Sequence, residues 1–510
     1  MEKNMHNELS RRDLLKMIAL FPASIAIQPI TKQLSAVSPN RENIILMVFD
    51  AWSAKNLQMF GYKRNTMPNL EKFAEKSVVF HNHHANGNFT VPGTASILTG
   101  TNPWQHRALN LGGFISKEYA EKQIFNIMAE THKTIGFAQN VYADQLIVQG
   151  GSGLLEHIPF GRFNLNNEVI YDDFIFKNDS YSAFSSFENG LLLSNVGVKG
   201  SLFLNLLREI AKKFERKSVT DNNSNGYAFS VPSNIEYFDL ADMVEGLIAT
   251  LRSIEQNFLI YFHFYTPHAP YSPYKNHLEF FSTDNYDPVR KPVHPLIKNP
   301  VDRKNTELER TKYDAYLGSW DSELSKLFDY FESSGLRDNS HIILTSDHGE
   351  EFERGHIGHG DKMMYEPILR VPLIISSPGM KNRVDISSMT ANIDLLPTIA
   401  HLSNKPTPIW ASGKLLPGFG GIDDPERKLF TLDARLNSPN SINKQYSFAL
   451  HYKNYKMIKY HYPKYDGIEL YDLDIDPEEL TNLVGVLPAI SKEMEKLMDE
   501  KMNEISDANR

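Results

Sequence analysis

No cysteine occurs among the 510 residues. Disulfides, thiolate metal sites and a cysteine nucleophile are therefore excluded. Long blocks of lysine or arginine are absent too, and the formal net charge is −9. Nucleic-acid binding through a basic face is disfavoured on that ground. A small anionic ligand stays open, because a bound metal ion supplies local positive charge that net charge does not record. Membrane-spanning runs are also missing: the apolar stretch Met17 to Ile27 is too short to cross a bilayer, and Pro22 and Pro29 interrupt the region.

What is present is ordinary globular composition, 41% hydrophobic and 23% charged. The length suffices for one large core, or for a large domain with a smaller one beside it. At the N-terminus, Ser10-Arg11-Arg12-Asp13-Leu14-Leu15-Lys16 leads into that short apolar run, followed by small residues. Charged, apolar, then cleavable is the order of an export signal, and the paired arginines give it a twin-arginine character. Residues 1–36 are expected to be a signal region that engages the twin-arginine export machinery and directs the chain to the periplasm or beyond. Cleavage near Ala26 or Ala36 is compatible with the pattern.

Downstream, Asn43 to Asp50 is an apolar run ending in an acid, the pattern of a buried parallel strand that delivers Asp50 at its C-terminal end. Further strands are expected at Val78 to Phe80, Thr134 to Gln139, Phe258 to Tyr265, His341 to Asp347 and Val371 to Ser376. Helices are expected at Pro68 to Lys76, from Pro92 to Leu98 with Thr90 just before it, at Tyr237 to Ile254 and at Lys312 to Ser333. This alternation indicates an α/β fold with a mainly parallel sheet flanked by helices. Ligands in such sheets bind beyond the carboxyl ends of the strands, where Asp50 and Asp347 fall. Residues 41–412 are expected to form the catalytic domain. Within it, residues 150–234, rich in Phe, Asn and Ser, read as an insertion or cap over the site. Residues 413–510 read as a small C-terminal α+β subdomain, with strand-like segments at Tyr446 to Tyr462 and Ile468 to Leu473 and a closing helix at Ile490 to Ile505.

Two segments carry chemistry. In Thr345-Ser346-Asp347-His348-Gly349-Glu350 an apolar strand ends in adjacent carboxylate and imidazole, both able to reach one divalent cation, with Gly allowing a tight turn. In Thr90-Val91-Pro92-Gly93-Thr94 an oxygen nucleophile stands at a helix start, where free N–H groups attract phosphate or sulfate oxygens. A metal touching the Thr90 oxygen would activate it. Out of context, Thr90 reads better as a helix cap than as a nucleophile.

In combination these segments resemble the sulfatase family of the alkaline phosphatase superfamily. The matching stretches come in order along the chain. Asp50 on the first strand is followed by Thr66-Met67-Pro68-Asn69-Leu70, Thr90-Val91-Pro92 with Ala95 to Gly100, and Pro267-His268-Ala269-Pro270-Tyr271. Ser346 to Glu350, Gly358-His359-Gly360, Tyr365-Glu366, Arg370 to Ile375, Asp394 to Thr398 and Glu469 to Leu483 complete the set. The resemblance implies that Asp50, Asp347 and His348 are metal ligands and that Thr90 is the nucleophile, also touching the metal. It implies that His268 contacts the substrate's anionic group or leaving oxygen. His359 stands where many sulfatases carry a substrate-binding lysine, and a histidine there can bind a substrate oxygen or protonate the leaving group. His81, His83 and His84 match no ligand position of the family and are expected at the surface or behind the site; Asp394 is expected to be structural.

The chain also departs from the family pattern. Sulfatases mature a Cys or Ser to formylglycine in a Cys/Ser-x-Pro-x-Arg motif, whereas Thr90 cannot form that aldehyde and Thr94 replaces the arginine. No formylglycine is expected. Ala51 stands where many sulfatases have a second aspartate. One divalent metal is expected, with Zn²⁺ or Mn²⁺ favoured by the His348 ligand and Ca²⁺ or Mg²⁺ possible. The resulting expectation is a metal-dependent hydrolase of a phosphate or sulfate ester, phosphoester favoured, acting on a small anionic ester, a sulfated or phosphorylated glycan or a lipid head group. A phosphoryl-group transferase to an envelope lipid or glycan, and a non-catalytic binding protein of the same fold, are the alternatives.

Overall fold

The computed structural model describes residues 42–159, 163, 226–229, 239–254, 257–437 and 444–507. The 1–36 signal region and most of the 150–234 insertion lie outside the described residues. No helix among the described residues is long and apolar enough to cross a membrane.

The central sheet is built from β1 (Asn43–Phe49), β2 (Val78–Phe80), β3 (Lys133–Ala138), β4 (Glu156–His157), β5 (Phe258–Phe264), β6 (Ser340–Ser346), β7 (Leu373–Ser376) and β8 (Val384–Ile386). Their spatial order is β8-β2-β7-β6-β1-β5-β3-β4. From β6 through β4 every pairing is parallel. Strand β1 lies in the middle and every residue in it is buried, which is why it reads as an unbroken apolar run. Its register sets Val48 beside both His263 and Thr345. Continuing that register by two residues brings Asp50 and Asp347 side by side just past the strand ends.

Alternation of side chains along β1 divides the core in two. Ile45, Met47 and Phe49 face the helices Leu240–Arg252 and Arg303–Ser333, packing with Leu247, Trp320 and Leu324. Leu46 and Val48 face the other way, against Val91, Ala95 and Leu98 of the Thr90–Thr99 helix and Leu395, Leu396 and Ile399 of the Leu395–Leu402 helix. Each such fully buried side chain contributes about 1.5–3 kcal/mol of burial free energy. Asp50 continues the Leu46–Val48 face, so the helix carrying Thr90 is the one that covers it.

Three expectations about the elements need correction. The Val371 to Ser376 segment starts its strand at Leu373 and runs antiparallel to β6 and β2. The chain returns from the C-terminal end of β6 through a hairpin and a four-residue helix, Glu366–Leu369, with no crossover helix to carry it to the far edge. The long helix begins at Arg303, well before Lys312, because Asp302 caps it by accepting from the Asn305 N–H. Its first turns are polar and carry no apolar stripe that would mark them. The Tyr446 to Tyr462 stretch is two strands joined by a tight turn at Lys453, whose φ is 56°.

Those two strands belong to a four-stranded antiparallel sheet formed by β9 (Lys428–Asp433), β10 (Tyr446–Tyr452), β11 (Tyr455–Tyr462) and β12 (Tyr465–Asp472). The closing helix Pro488–Asp507 packs on it through Met494, Met498 and Ile505. Asp394 is structural, as expected. Buried at the start of the Leu395–Leu402 helix, it accepts both Arg427 guanidinium donors at 2.7 Å and the Ala391 and Lys414 N–H groups at 2.8 Å.

A second buried carboxylate, Asp321, caps the Pro68–Ala74 helix from outside. It accepts the Asn69 and Leu70 N–H groups at 2.9 Å, because Met67 at the cap position has no side-chain acceptor. Burial pushes the Asp321 carboxyl up to about 6 despite those donors. A carboxyl raised in the folded state stabilises fully below its unfolded value near 4, and that contribution is lost as pH rises through about 6. Asp321→Asn should therefore flatten the decline in stability between about pH 4 and 6, measured by urea unfolding. Asp321→Ala should cost about 1–3 kcal/mol across the range by orphaning two backbone N–H groups.

Candidate active site

The site forms where four carboxyl-end segments meet. Asp50 follows β1, Asp347 and His348 follow β6, Asn140 follows β3, and His263 is the next-to-last residue of β5. The Thr90–Thr99 helix descends onto this edge with its N-terminus. Thr90 is the first residue of that helix, not the residue before it; Phe89 takes the cap position and the cap has no side-chain hydrogen bond. The Thr90 hydroxyl is turned to the cluster instead, 3.4 Å from His348 Nε2 and 3.3 Å from Asn140 Nδ2.

Close packing of backbone holds these ends together. A Cβ on Gly93 would lie 2.2 Å from the Asp347 carbonyl oxygen, and one on Gly349 would lie 2.1 Å from the Pro367 carbonyl oxygen. The Ser346 hydroxyl donates to the Phe49 carbonyl and accepts from the Trp52 N–H at 3.0 Å, latching β6 to the segment after β1. Ala51, directly after Asp50, adopts a left-handed conformation with φ 62°. The turn is held by the Tyr313 hydroxyl, which donates to the Ala51 carbonyl at 2.7 Å and accepts from the Ser53 N–H.

Asp50, Asp347, His348 and His263 are fully buried. His348 Nε2 lies 3.1 Å from Asp50 Oδ1 and 3.6 Å from Asp347 Oδ2. His263 Nε2 lies 3.6 Å from Asp50 Oδ2 and 3.8 Å from Asp347 Oδ2. Asn140 Nδ2 donates to Asp50 Oδ2 at 2.6 Å. His348 Nδ1 donates to the Gly349 carbonyl at 2.9 Å, which leaves Nε2 to face the carboxylates as a lone pair when the ring is neutral.

Burial raises the Asp347 carboxyl, and the neighbouring Asp50 charge adds to that rise. Against the same burial, His268, His263 and His348 hold the Asp50 carboxyl well below the usual range. Burial opposes charge on His348, yet Asp347 and Asp50 lift it to about 9. Two buried carboxylates thus draw positive charge onto whatever faces them.

A divalent cation fits this set. Asp50 Oδ1, Asp347 Oδ2 and His263 Nε2 are buried without a hydrogen-bond partner. One ligand atom from each of Asp50, Asp347 and His348 lies within 4.8 Å of the others. Unsatisfied buried acceptors at this density are costly unless a cation meets them, and mixed carboxylate and imidazole donors suit Zn²⁺ or Mn²⁺.

At the mouth, His268 and His359 are partly exposed and their rings approach to 4.7 Å. The His359 ring also lies 4.1 Å from that of His348. Its Nδ1 donates to Glu350 Oε1 at 2.8 Å, and Tyr271 donates to the other Glu350 oxygen at 2.9 Å. His268 Nδ1 donates to the Ala269 carbonyl at 2.5 Å. Burial and the neighbouring His348 bring His359 down to about 4.

All six residues singled out in the sequence, Asp50, Thr90, His268, Asp347, His348 and His359, therefore meet in one place. Asn140, His263 and Glu350 join them without having been singled out. His263 had a legible signal, a lone imidazole inside the apolar run Phe258 to Phe264. Asn140 had only the form of a helix cap, which it also is, accepting the Tyr142 N–H at 2.9 Å.

The sulfatase family model matches residues 42–405, and a model described as N-sulphoglucosamine sulphohydrolase, C-terminal, matches residues 355–508. The chain belongs to the sulfatase family. Sulfatases of this superfamily bind a divalent metal, and the Asp50, Asp347 and His348 cluster is a candidate group for one. Arylsulfatase K of Bos taurus is 28% identical over 243 residues, 43% of this chain and 44% of that one. The chain spans about half the length of the arylsulfatase K relatives it matches. The multifunctional alkaline phosphatase superfamily protein PehA of Trinickia caryophylli is 23% identical over 501 residues, covering 87% of this chain and 91% of its own. Among solved structures, the phosphonate monoester hydrolase of Agrobacterium radiobacter superposes with a TM-score of 0.65 at 18% identity, over 92% of this chain and 96% of that one. The protein BT4656, solved with its substrate D-glucosamine-2-N,6-O-disulfate, gives 0.62 at 16% identity, over 92% and 99%. These two likenesses establish a common fold.

The contact between Gly93 and the Asp347 backbone supplies a test of the site's packing. Gly93→Ala should displace the helix start or the β6 end and lower stability by about 1–3 kcal/mol, measured by thermal or urea unfolding.

Proposed function

We propose that the chain is a divalent-metal-dependent ester hydrolase with Thr90 as nucleophile, acting on phosphoesters in preference to sulfate esters. The observation that carries this reading is the Thr90 hydroxyl facing a buried cluster in which Asp50 Oδ1, Asp347 Oδ2 and His263 Nε2 lack hydrogen-bond partners. Asp50, Asp347 and His348 would hold the ion, with His263 and Asn140 closing the cluster around it. The ion supplies positive charge that eases ionisation of the Thr90 hydroxyl and balances charge on the transferring group.

The chain's own residues then divide the proton work. The Thr90 oxygen attacks phosphorus, forming an Oγ1–P bond as the bond to the ester oxygen breaks. Lowered to about 4, His359 is neutral near pH 7, and its Nδ1–H is committed to Glu350, so its Nε2 is suited to accept the Thr90 proton. His268, beside it at the mouth, gives the proton that the leaving oxygen takes. Water next attacks phosphorus, the Oγ1–P bond breaks, and the two histidines return to their starting states. Ester and water become alcohol and phosphate. Free N–H groups at the helix start bind non-bridging oxygens.

Preference for phosphorus rests on Thr90 itself, which cannot be matured to formylglycine, and is compatible with the phosphonate monoester hydrolases among the fold's neighbours. A small anionic ester or a sulfated or phosphorylated glycan suits a site of this kind. Assays on aryl phosphate, phosphodiester, phosphonate and sulfate esters test the reading. Thr90→Ala should lower kcat at least about 100-fold, and chelation should abolish activity that added Zn²⁺ or Mn²⁺ restores. A Thr90→Ala protein as active as wild type would overturn the proposal. Glu350→Gln should lower kcat by about 10-fold or more by releasing the His359 ring.

We further infer export from residues 1–36, supported by the Ser10 to Lys16 pattern and the absence of cysteine. Replacing Arg11 and Arg12 by lysine should leave the chain inside the cell, as followed by fractionation; secretion at wild-type level would contradict it.

A further inference from the structure

A second cluster of metal-ligating side chains lies outside the site just described. The two-residue strand His83–His84 pairs with Thr390–Ala391, and its neighbouring side chains are buried in different surroundings. His83 is bound by Thr390 and by Asn392, whose Nδ2 donates to the Ser346 carbonyl on β6. His84 instead meets Glu366, the first residue of the four-residue helix, and His451 on β10. None of the three is exposed by more than a few per cent.

We propose that His84, Glu366 and His451 form a second divalent-cation site, of zinc type, that ties the His83–His84 strand and the Glu366–Leu369 helix to the C-terminal sheet. Each residue offers one ligand atom, and the three atoms lie within 4.8 Å of one another. His84 Nε2 is 3.6 Å from Glu366 Oε2, His451 Nε2 is 2.8 Å from Glu366 Oε1, and the two imidazole rings are 4.2 Å apart. Neither nitrogen of His84 has a hydrogen-bond partner, and His451 Nδ1 has none. A buried neutral imidazole carries one N–H and one lone pair, and leaving both unmet is unfavourable. A cation takes up the lone pair and brings the carboxylate oxygen with it.

One oxygen of Glu366 is engaged by its neighbours and the other faces the histidine pair. Lys456 Nζ donates to Glu366 Oε1 at 2.9 Å and to Glu479 Oε1 at 2.8 Å, and the other Glu479 oxygen accepts the Glu366 N–H at 2.9 Å. Arg354 donates to the Glu479 carbonyl oxygen. Lys456 is thus shared between Glu366 and Glu479, Glu479 also meets the charges of Arg354 and Lys291, and Glu366 Oε2 is turned to His84 Nε2 at 3.6 Å. Two imidazoles and a carboxylate are a donor set that Zn²⁺ accepts. Its role here is structural, because the ligands come from three separate segments that the ion would pin together.

This site does not depend on the hydrolase reading, and its test keeps the two apart. Asp347→Asn removes a ligand of the first cluster, so the full-length variant, loaded with Zn²⁺ and dialysed, should retain about one equivalent by mass spectrometry of metals. Adding His451→Gln should abolish that equivalent, and should remove the rise in Tm that Zn²⁺ gives to the Asp347→Asn protein. Zinc-soaked wild-type crystals should show an anomalous peak between His84, Glu366 and His451, which reads the site without any variant. A folded Asp347→Asn protein that holds no zinc, an equivalent that survives His451→Gln, or no anomalous peak at this position would overturn the proposal. Loss of ester hydrolysis alone, as in Thr90→Ala, bears only on the first site.

Discussion

The structure turns on two carboxylates, Asp50 and Asp347, held side by side out of water. Parallel pairing of β1 with β6 makes this unavoidable, since the register that aligns Val48 with Thr345 also aligns the residues past each strand end. Like charges so placed repel, and burial removes the solvent that would screen them. The surroundings answer with imidazoles from His263, His348 and His268, the Asn140 amide and an N-terminal helix end. Each belongs to a different segment, so the arrangement of the sheet and the chemistry of its edge are one problem. Tertiary packing defends the arrangement through backbone contacts too close to admit a side chain at Gly93 or Gly349.

Much of this was legible in the sequence for a simple reason. Residues at the ends of apolar runs are placed by the run itself, so Asp50 and the Asp347-His348 pair could be assigned to strand ends without knowing the fold. Thr90 and the two mouth histidines came from the resemblance to the sulfatase family, because nothing local separates a nucleophilic threonine from a capping one. Asn140 escaped notice since its second role, capping the Val141–Val148 helix, explains it fully when the chain is read in one dimension. Glu350 closes the family-like Ser346 to Glu350 stretch without a role of its own there, and only the three-dimensional contact with His359 and Tyr271 gives it a position to hold.

The elements that differed share a cause. The reversal of β7, the early start of the Arg303–Ser333 helix and the hairpin inside Tyr446 to Tyr462 are set by turns, caps and contacts rather than by hydrophobic period. His84 belongs with them. In the sequence it is one of a run of histidines, His81, His83 and His84, while in the fold it meets Glu366 and His451 from stretches far along the chain. Adjacent His83 serves a different neighbour, Asn392, and through it the β6 carbonyl that precedes Asp347. A strand of two residues thus touches both the hydrolytic edge and the C-terminal sheet.

Ala51 keeps a left-handed backbone directly after Asp50. Alanine enters that conformation at some cost, whereas aspartate, the residue many sulfatases carry there, adopts it more readily. An aspartate at this position would make the site more negative, and the turn that would receive the added charge is already formed.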